Sequence, residues 1–393
     1  MVKWSNFLKD VLICSLGAYG GPEAHYSVFI DQMVVKKNYL TEEELVELIA
    51  LTGILPGPSS TQTIVSIGYK VGGPLLALLT MLVWALPVII IMILLSFFYS
   101  ITEKFQVEKD ILRFISPMAV GFVIVSAYRI GRKVVKDKLT FYLYIFAVIL
   151  TYFIRKPWIF PLVLIMGGVI SITSYKEKEL WNKVILNPPW KYFYSFVFFI
   201  GASIFLKFIS ENKLIGIFES FYRYGYLVIG GGQVVIPLMY GELVEINQFM
   251  NTSEFLTGFG LVQGLPGPMF SFSAYAGSLI ARGQSSLIQT LGGLIASIGI
   301  FLPGLLLIYF VYPIWENLKQ IKGIKLSLKG LVAVAGGLVF TTGIILMQKS
   351  EFSLINIIII TITTIALFSK KIPAPIIVLG FNSFWNNILK IPL

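Results

Sequence analysis

Two stretches of this chain, residues 71–102 and 283–315, contain no charged side chain. A helix needs about 20 apolar residues to cross the hydrocarbon core of a bilayer, so each run is long enough to span. Backbone in that environment has no water to bond, which restricts it to helices or closed barrels, and unbroken apolar runs of this length read as helix. Composition agrees: 56% of the 393 residues are apolar, 13% are charged, and the mean hydropathy is +0.82. Soluble domains carry about 25% charged residues. The expected fold class is an all-α integral membrane protein, multi-pass in the plasma membrane, with the lipid bilayer as its surroundings.

The net charge of +11 does not point to nucleic acid, because Lys and Arg sit mostly at the ends of apolar segments, where they anchor and orient spans. No nucleic-acid partner is expected. Cys14 and His25 are the only residues of their types, which excludes an internal disulfide and any multi-histidine metal site. No metal and no cofactor are expected. The stretch before residue 11 lacks the basic, apolar, small-residue order of a cleaved signal, so it is expected to be retained. Nucleophile-elbow, zinc-protease and nucleotide-loop motifs are absent, which argues against an enzyme and against ATP-driven pumping by this chain alone.

The chain repeats itself. Pro56-Gly57-Pro58 recurs as Pro266-Gly267-Pro268, and at the same offset Gly20-Gly21 matches Gly230-Gly231, Val34 matches Val244, Glu44 matches Glu254, and Leu51 and Leu55 match Leu261 and Leu265. After a short insertion, Leu86-Pro87 corresponds to Leu302-Pro303. Two homologous repeats follow, residues 1–175 and 214–393, joined by a linker with one helix, 176–213. Each repeat reads as about six apolar segments: 7–29, 48–69, 75–99, 114–131, 139–154 and 157–174, then 217–239, 255–280, 288–312, 329–347, 352–369 and 372–390. With the joining segment at 192–209 this predicts thirteen spans and an inverted second repeat. The loop from Arg129 to Lys138 holds five basic residues, whereas its counterpart holds only Lys349, as inversion requires under the positive-inside rule.

Each Pro-Gly-Pro interrupts an apolar segment, and proline removes a backbone donor and clashes with the preceding turn. Broken helices at matching places in two repeats point to a transport site. Candidate substrate-binding residues are Gly20, Gly21, Pro56, Gly57, Pro58, Ser59 and Gln62 in the first repeat, and Gly230, Gly231, Gly232, Gln263, Pro266, Gly267, Pro268 and Ser271 in the second. Hydroxyls, amides and the free N–H groups of a restarting helix are donors suited to an anion. The glycine clusters serve either unwinding or close packing, and the pairs Gly53–Gly57 and Gly260–Gly264 read as packing. Glu23 and His25 are possible coupling residues, Arg223 is a further ionisable candidate, and Arg129 is expected to snorkel.

At these residues the sequence resembles the chromate ion transporter family in its long-chain, two-domain form. The resemblance rests on Gly20-Gly21-Pro22-Glu23-Ala24-His25 with Leu55-Pro56-Gly57-Pro58, and on Gly230-Gly231-Gly232-Gln233-Val234-Val235 with Gln263-Gly264-Leu265-Pro266-Gly267-Pro268. It covers roughly residues 15–95 and 220–310. One departure stands out: Gly53 occupies the place of an amide that Gln263 keeps in the second repeat. The resemblance implies a secondary transporter that exports chromate, or a sulfate-like oxyanion, from the cytoplasm. A homodimer is compatible with it.

Overall fold

The computed structural model describes residues 2–104, 112, 114–156, 158–175, 186–229, 234–349 and 353–381, and all regular structure among them is helical. The first repeat contains α1 (Trp4–Gly17), α2 (Pro22–Phe29, continued by a wide π turn Ile30–Lys36), α3 (Glu42–Ile54), α4 (Ser59–Lys104), α5 (Ile115–Val134), α6 (Lys138–Phe153) and α7 (Ile159–Ser174). The joining helix is α8 (Trp190–Ile209). The second repeat contains α9 (Lys213–Leu227), α10 (Val235–Tyr240, continued by Gly241–Ile246), α11 (Thr252–Gln263), α12 (Phe272–Ile280), α13 (Ser286–Val311), the short α14 (Trp315–Leu318), α15 (Lys322–Lys349) and α16 (Leu354–Ser369). Four described helices are long and apolar enough to cross a membrane, and several shorter ones are apolar throughout.

The segments expected at 7–29, 48–69, 217–239 and 255–280 are not single crossings. Each is two helices folded back on one another. Across α1 and α2, Gln32 Nε2 donates to Asp10 Oδ1 at 2.9 Å and the Tyr39 hydroxyl donates to Asp10 Oδ2 at 2.7 Å. Across α3 and α4, the Thr52 and Thr63 hydroxyls lie 2.8 Å apart near the tip, and Lys70 pairs with Glu44 at the base. In the second repeat Arg223 grips Glu242 across α9 and α10 through two bonds of 2.8 Å, and Arg282 pairs with Glu254 across α11 and α12. Partners this symmetric about a turn require antiparallel arms. Hydropathy alone reads such a hairpin as one span because both arms are apolar.

Glycine and proline at the tips supply the reversals. Gly20 and Gly21 have φ of +84° and +97°, and Gly57 and Gly267 have +118° and +102°, all in the region L side chains avoid. Capping boxes at Thr41/Glu44 and Asn251/Glu254 start α3 and α11 in the same way. Helix α4 also folds over itself. Its backbone leaves helical values at Gly72 and Gly73, before Pro74, and a methyl at Gly68 would collide with Thr80.

The two repeats interleave. Helix α15 of the second packs against α5, α6 and α7 of the first. The approach is closest where a methyl on Gly330 would fall 2.0 Å from the Gly167 carbonyl oxygen. Small residues allow such contact where no hydrophobic drive separates helix from lipid. Arg129 Nη2 donates to the Leu367 carbonyl at 2.7 Å, tying α5 to the last turn of α16. Residues 176–185 of the expected linker and 382–393 of the last expected segment lie outside the described residues.

This packing carries a direct test. Gly330→Ala is expected to destabilise the protein by at least the 1–3 kcal/mol typical of overpacking. Gly201→Ala in α8, where no atom lies within 4 Å of the added methyl, is expected to leave it unchanged. Thermal unfolding in detergent compares the two.

Candidate substrate site at the hairpin tips

The hairpin tips meet one another across the repeats. Gly57 N–H donates to the Val228 carbonyl at 2.7 Å, and Gly267 N–H donates to the Ala18 carbonyl at 2.8 Å. Gly57 matches Gly267 and Ala18 matches Val228 in the sequence repeat, so each bond is the counterpart of the other. Steric contacts follow the same exchange. A methyl on Gly57 would stand 3.5 Å from Gly304 Cα, next to Pro303, and one on Gly267 would stand 3.1 Å from Val88 Cγ1, next to Pro87.

Between the tips lies a space of about 240 Å³ lined by Pro22, His25, residues 58–61, Pro268, Met269 and Phe270. Three helix starts face it: α2 at Pro22, α4 at Ser59, and the 3₁₀ turn Met269–Ser271 that leads into α12. The first N–H groups of a helix have no partner within it, and its macrodipole makes that end positive. Among the described side chains, none that lines it carries a carboxylate, a guanidinium or an ammonium group. Water-sized room inside is no more than about one molecule, so the tips are closed.

His25 is 1% exposed. Its Nδ1 lies 2.9 Å from Ser60 Oγ, its ring stands edge-on to Trp84 at 5.3 Å, and its Nε2 has no partner among the described residues. Trp84 Nε1 donates to Thr61 Oγ1 at 3.1 Å, which leaves that hydroxyl's proton free for another acceptor. Ser271 Oγ is buried and also unpartnered. Gln62 directs Nε2 to the Pro56 carbonyl at 2.9 Å and leaves Oε1 unpartnered, while Gln263 donates to Met269 Sδ at 3.0 Å. Buried polar atoms without partners are uncommon, and three of them gather at these tips.

The geometry thus assembles Pro58, Ser59, His25 and Pro268 around one space, with Gly20, Gly21, Pro56, Gly57, Pro266, Gly267, Gln62, Gln263 and Ser271 in or beside the turns that frame it. Gly230, Gly231 and Gly232 lie outside the described residues, as does the side chain of Glu23. Gly260 packs against Ile115 of α5, whereas Gly53 has no neighbour within 4 Å of an added methyl, so only the second spaced pair begins with a packing glycine. Arg223 sits in a network with Glu219, Glu242 and Lys207, whose Nζ lies 2.5 Å from Glu219, and so braces a hairpin away from the tips. Sequence reasoning did not single out Trp84. The only signal was its place two residues before Leu86-Pro87 in an otherwise featureless apolar run.

A family model described as chromate transporter matches residues 5–172 and 215–384. The chain belongs to the chromate transporter family. A probable chromate transport protein of Synechococcus elongatus is 24% identical over 92% of this chain and 90% of its own length. A chromate transport protein of Cupriavidus metallidurans is 24% identical over 92% and 87%. An uncharacterized transporter of Methanocaldococcus jannaschii is 22% identical over 93% and 90%. No solved structure matches. The chain is therefore a multi-pass integral membrane transporter, matched as two family regions that correspond to the two copies of the internal repeat.

The tip glycines can be separated from ordinary turn glycines. Gly57→Ala and Gly283→Ala both place a side chain at positive φ, at about 1–2 kcal/mol of strain each. Only Gly57 touches the opposite repeat. Flux is expected to fall sharply in Gly57→Ala and in Gly267→Ala, and to persist in Gly283→Ala, when equal amounts are reconstituted.

Proposed function

We propose that this transporter exports chromate from the cytoplasm, and that the oxyanion binds where the hairpin tips converge. The observation that carries this reading is the small space faced by three helix starts, with His25 Nε2 beside it and Ser271 Oγ next to its rim unpartnered, and no carboxylate lining it, among the described residues. A dianion there takes N–H groups of Ser59, Ser60 and Thr61, the Thr61 hydroxyl and, with Nδ1 accepting from Ser60, a proton donor at His25 Nε2. Pro56, Gly57 and Pro58, with Pro266, Gly267 and Pro268, keep those N–H groups from closing into a continuous helix. Gln62 and Gln263 hold the turns, Gly20 and Gly21 let the first hairpin of the first repeat bring its tip close, and Gly230, Gly231 and Gly232 keep the matching place in the sequence of the second. The relatives named for chromate transport support chromate as cargo. Sulfate has the same shape and charge and is the reading a substrate panel tests first.

The second repeat is inverted on this reading. Reciprocal bonds between Gly57 and Val228 and between Gly267 and Ala18 are what a two-fold axis between the copies produces. Because the first two hairpins return to the side they entered from, Lys36 and Lys37 join Lys3, Lys9 and the Arg129–Lys138 loop on the inner face. That strengthens the basic bias. Cysteines at positions 132 and 349 in a Cys14→Ser background are expected to react with an impermeant reagent from opposite sides. Labelling of both from one side refutes inversion.

Energetics favour export. Two negative charges leaving an inside-negative cell gain about 2.3 kcal/mol each per 100 mV, roughly 4.6 kcal/mol together. Import needs coupled cations, for which Glu23 and His25 are the candidates. In proteoliposomes with a valinomycin-set potassium potential, labelled chromate is expected to move toward the positive side and to reverse with the potential. His25→Ala, and Pro56 and Pro58 replaced together by alanine, are expected to insert normally and lose most flux. Normal flux from both variants would sink the site assignment. Flux that ignores voltage and follows a proton gradient would replace uniport with coupling at Glu23 or His25.

A further inference from the structure

Away from the tips, an open groove of about 1060 Å³ lies between α5, α6, α15 and α16. Its walls are aromatic: Tyr128 from α5, Phe141 and Tyr144 from α6, Phe340 from α15 and Phe368 from α16. Tyr128, Phe141, Phe340 and Phe368 are all exposed, so the rings line a channel that nothing in the described structure fills. Exposed apolar surface is ordinary in a bilayer. The end of this groove is not.

Arg132 lines that end, with its guanidinium 5.9 Å from the Tyr128 ring centre and, among the described residues, that residue's neutral hydroxyl as its side-chain partner at 3.4 Å. Lys133 follows in the last turn of α5, Lys136 in the loop and Lys138 at the start of α6. The bond from Arg129 to the Leu367 carbonyl brings the end of α16 to the same rim, with Lys370 and Lys371 just beyond it. The one acid between Arg129 and Lys138 is Asp137, and it is already engaged. Lys329 pairs with it and the Thr140 amide donates to it, and together they hold its carboxyl down at about 2. Lys329 also donates to the Tyr175 hydroxyl at 2.5 Å. Arg132 thus lines the groove mouth, further basic residues lie close to it along the chain, and among the described residues no carboxylate lines the groove. An aromatic trough ending in a cation matches a molecule with an apolar chain and an anionic head.

We propose that an anionic phospholipid of the bilayer occupies this groove, with an acyl chain along Tyr128, Phe141, Phe340 and Phe368 and its phosphate at Arg132. The site is separate from the hairpin tips and shares no residue with them. A charge near the membrane surface contributes about fivefold in affinity for an anionic head, so two bases contribute about thirtyfold.

The test uses the full chain, purified in mild detergent, washed of lipid and titrated with phosphatidylglycerol or phosphatidylcholine under native mass spectrometry. Phosphatidylglycerol is expected to be retained at least tenfold more strongly. Arg132→Gln is expected to lower that retention about fivefold, and Arg132→Gln with Lys136→Gln about thirtyfold. Lys191→Gln, at the start of α8, is expected to change nothing. Unfolding temperature and chromate flux confirm that the variants are folded. Equal retention of both lipids, or undiminished retention in Arg132→Gln, overturns the proposal. So does a species of twice the mass that Phe368→Ala abolishes, which assigns the groove to a second copy. A tenfold gain in retention on truncation after residue 381 overturns it too, because the chain's own end then fills the trough.

Discussion

A backbone that turns around inside hydrocarbon leaves N–H and C=O groups that water cannot reach, and each costs several kcal/mol if left unpaired. Here the turns at residues 55–58 and 264–268 are supported by the opposite repeat: Gly57 N–H reaches Val228 and Gly267 N–H reaches Ala18. Each repeat satisfies part of its own tips, as Gln62 does for the Pro56 carbonyl, but each tip glycine takes its acceptor from the other repeat, which ties the broken hairpins to one another. Interleaving of α15 among α5, α6 and α7 extends the same mutual dependence into the surrounding bundle.

The bases of the hairpins are organised differently from the tips. A charged pair lies at the base of each, Lys37 with Asp10, Lys70 with Glu44, Arg223 with Glu242 and Arg282 with Glu254, and Gln32 and Tyr39 add hydrogen bonds to Asp10. Buried ion pairs add little net stability, but breaking one leaves an uncompensated charge. They act as clamps that keep each hairpin a rigid lever, so a movement at one end of a hairpin is carried to the other. The tips, held by single neutral hydrogen bonds, are the softer contacts. Opening is therefore expected to begin at the tips, where the proposed substrate site lies, without the hairpins coming apart.

Much of this was legible in residue order. The repeat, the membrane environment and the importance of the two Pro-Gly-Pro motifs all follow from identity and spacing, and the family match covers the same two regions. What hydropathy did not reveal was the direction of the chain within the broken segments. Residues 48–69 are apolar whether they cross or return, and the partnerships of Glu44 with Lys70 and of Thr52 with Thr63 separate the two. The site was half legible. Hydroxyls after Pro58 announced themselves as polar residues in an apolar run, whereas the contribution of Trp84 depends on a helix 23 residues further along the chain folding back over Thr61. Arg223 looked like a site residue because intramembrane charge is rare, yet Glu219 and Glu242 engage it fully.

The two copies have diverged where their tips face the cavity. His25 corresponds to Val235, and Ser59-Ser60-Thr61 corresponds to Met269-Phe270-Ser271. A strictly symmetric site would present equal donors from both sides and would hold an anion on the axis. With donors concentrated in the first repeat, an anion at the proposed site would belong instead to one hairpin pair, and the second repeat supplies a mostly apolar wall that contains Met269 and Phe270. Low polarity on that wall strengthens the helix-start electrostatics acting from the other. Shared architecture thus keeps the tips together, while divergence at a few side chains decides which of them holds the charge.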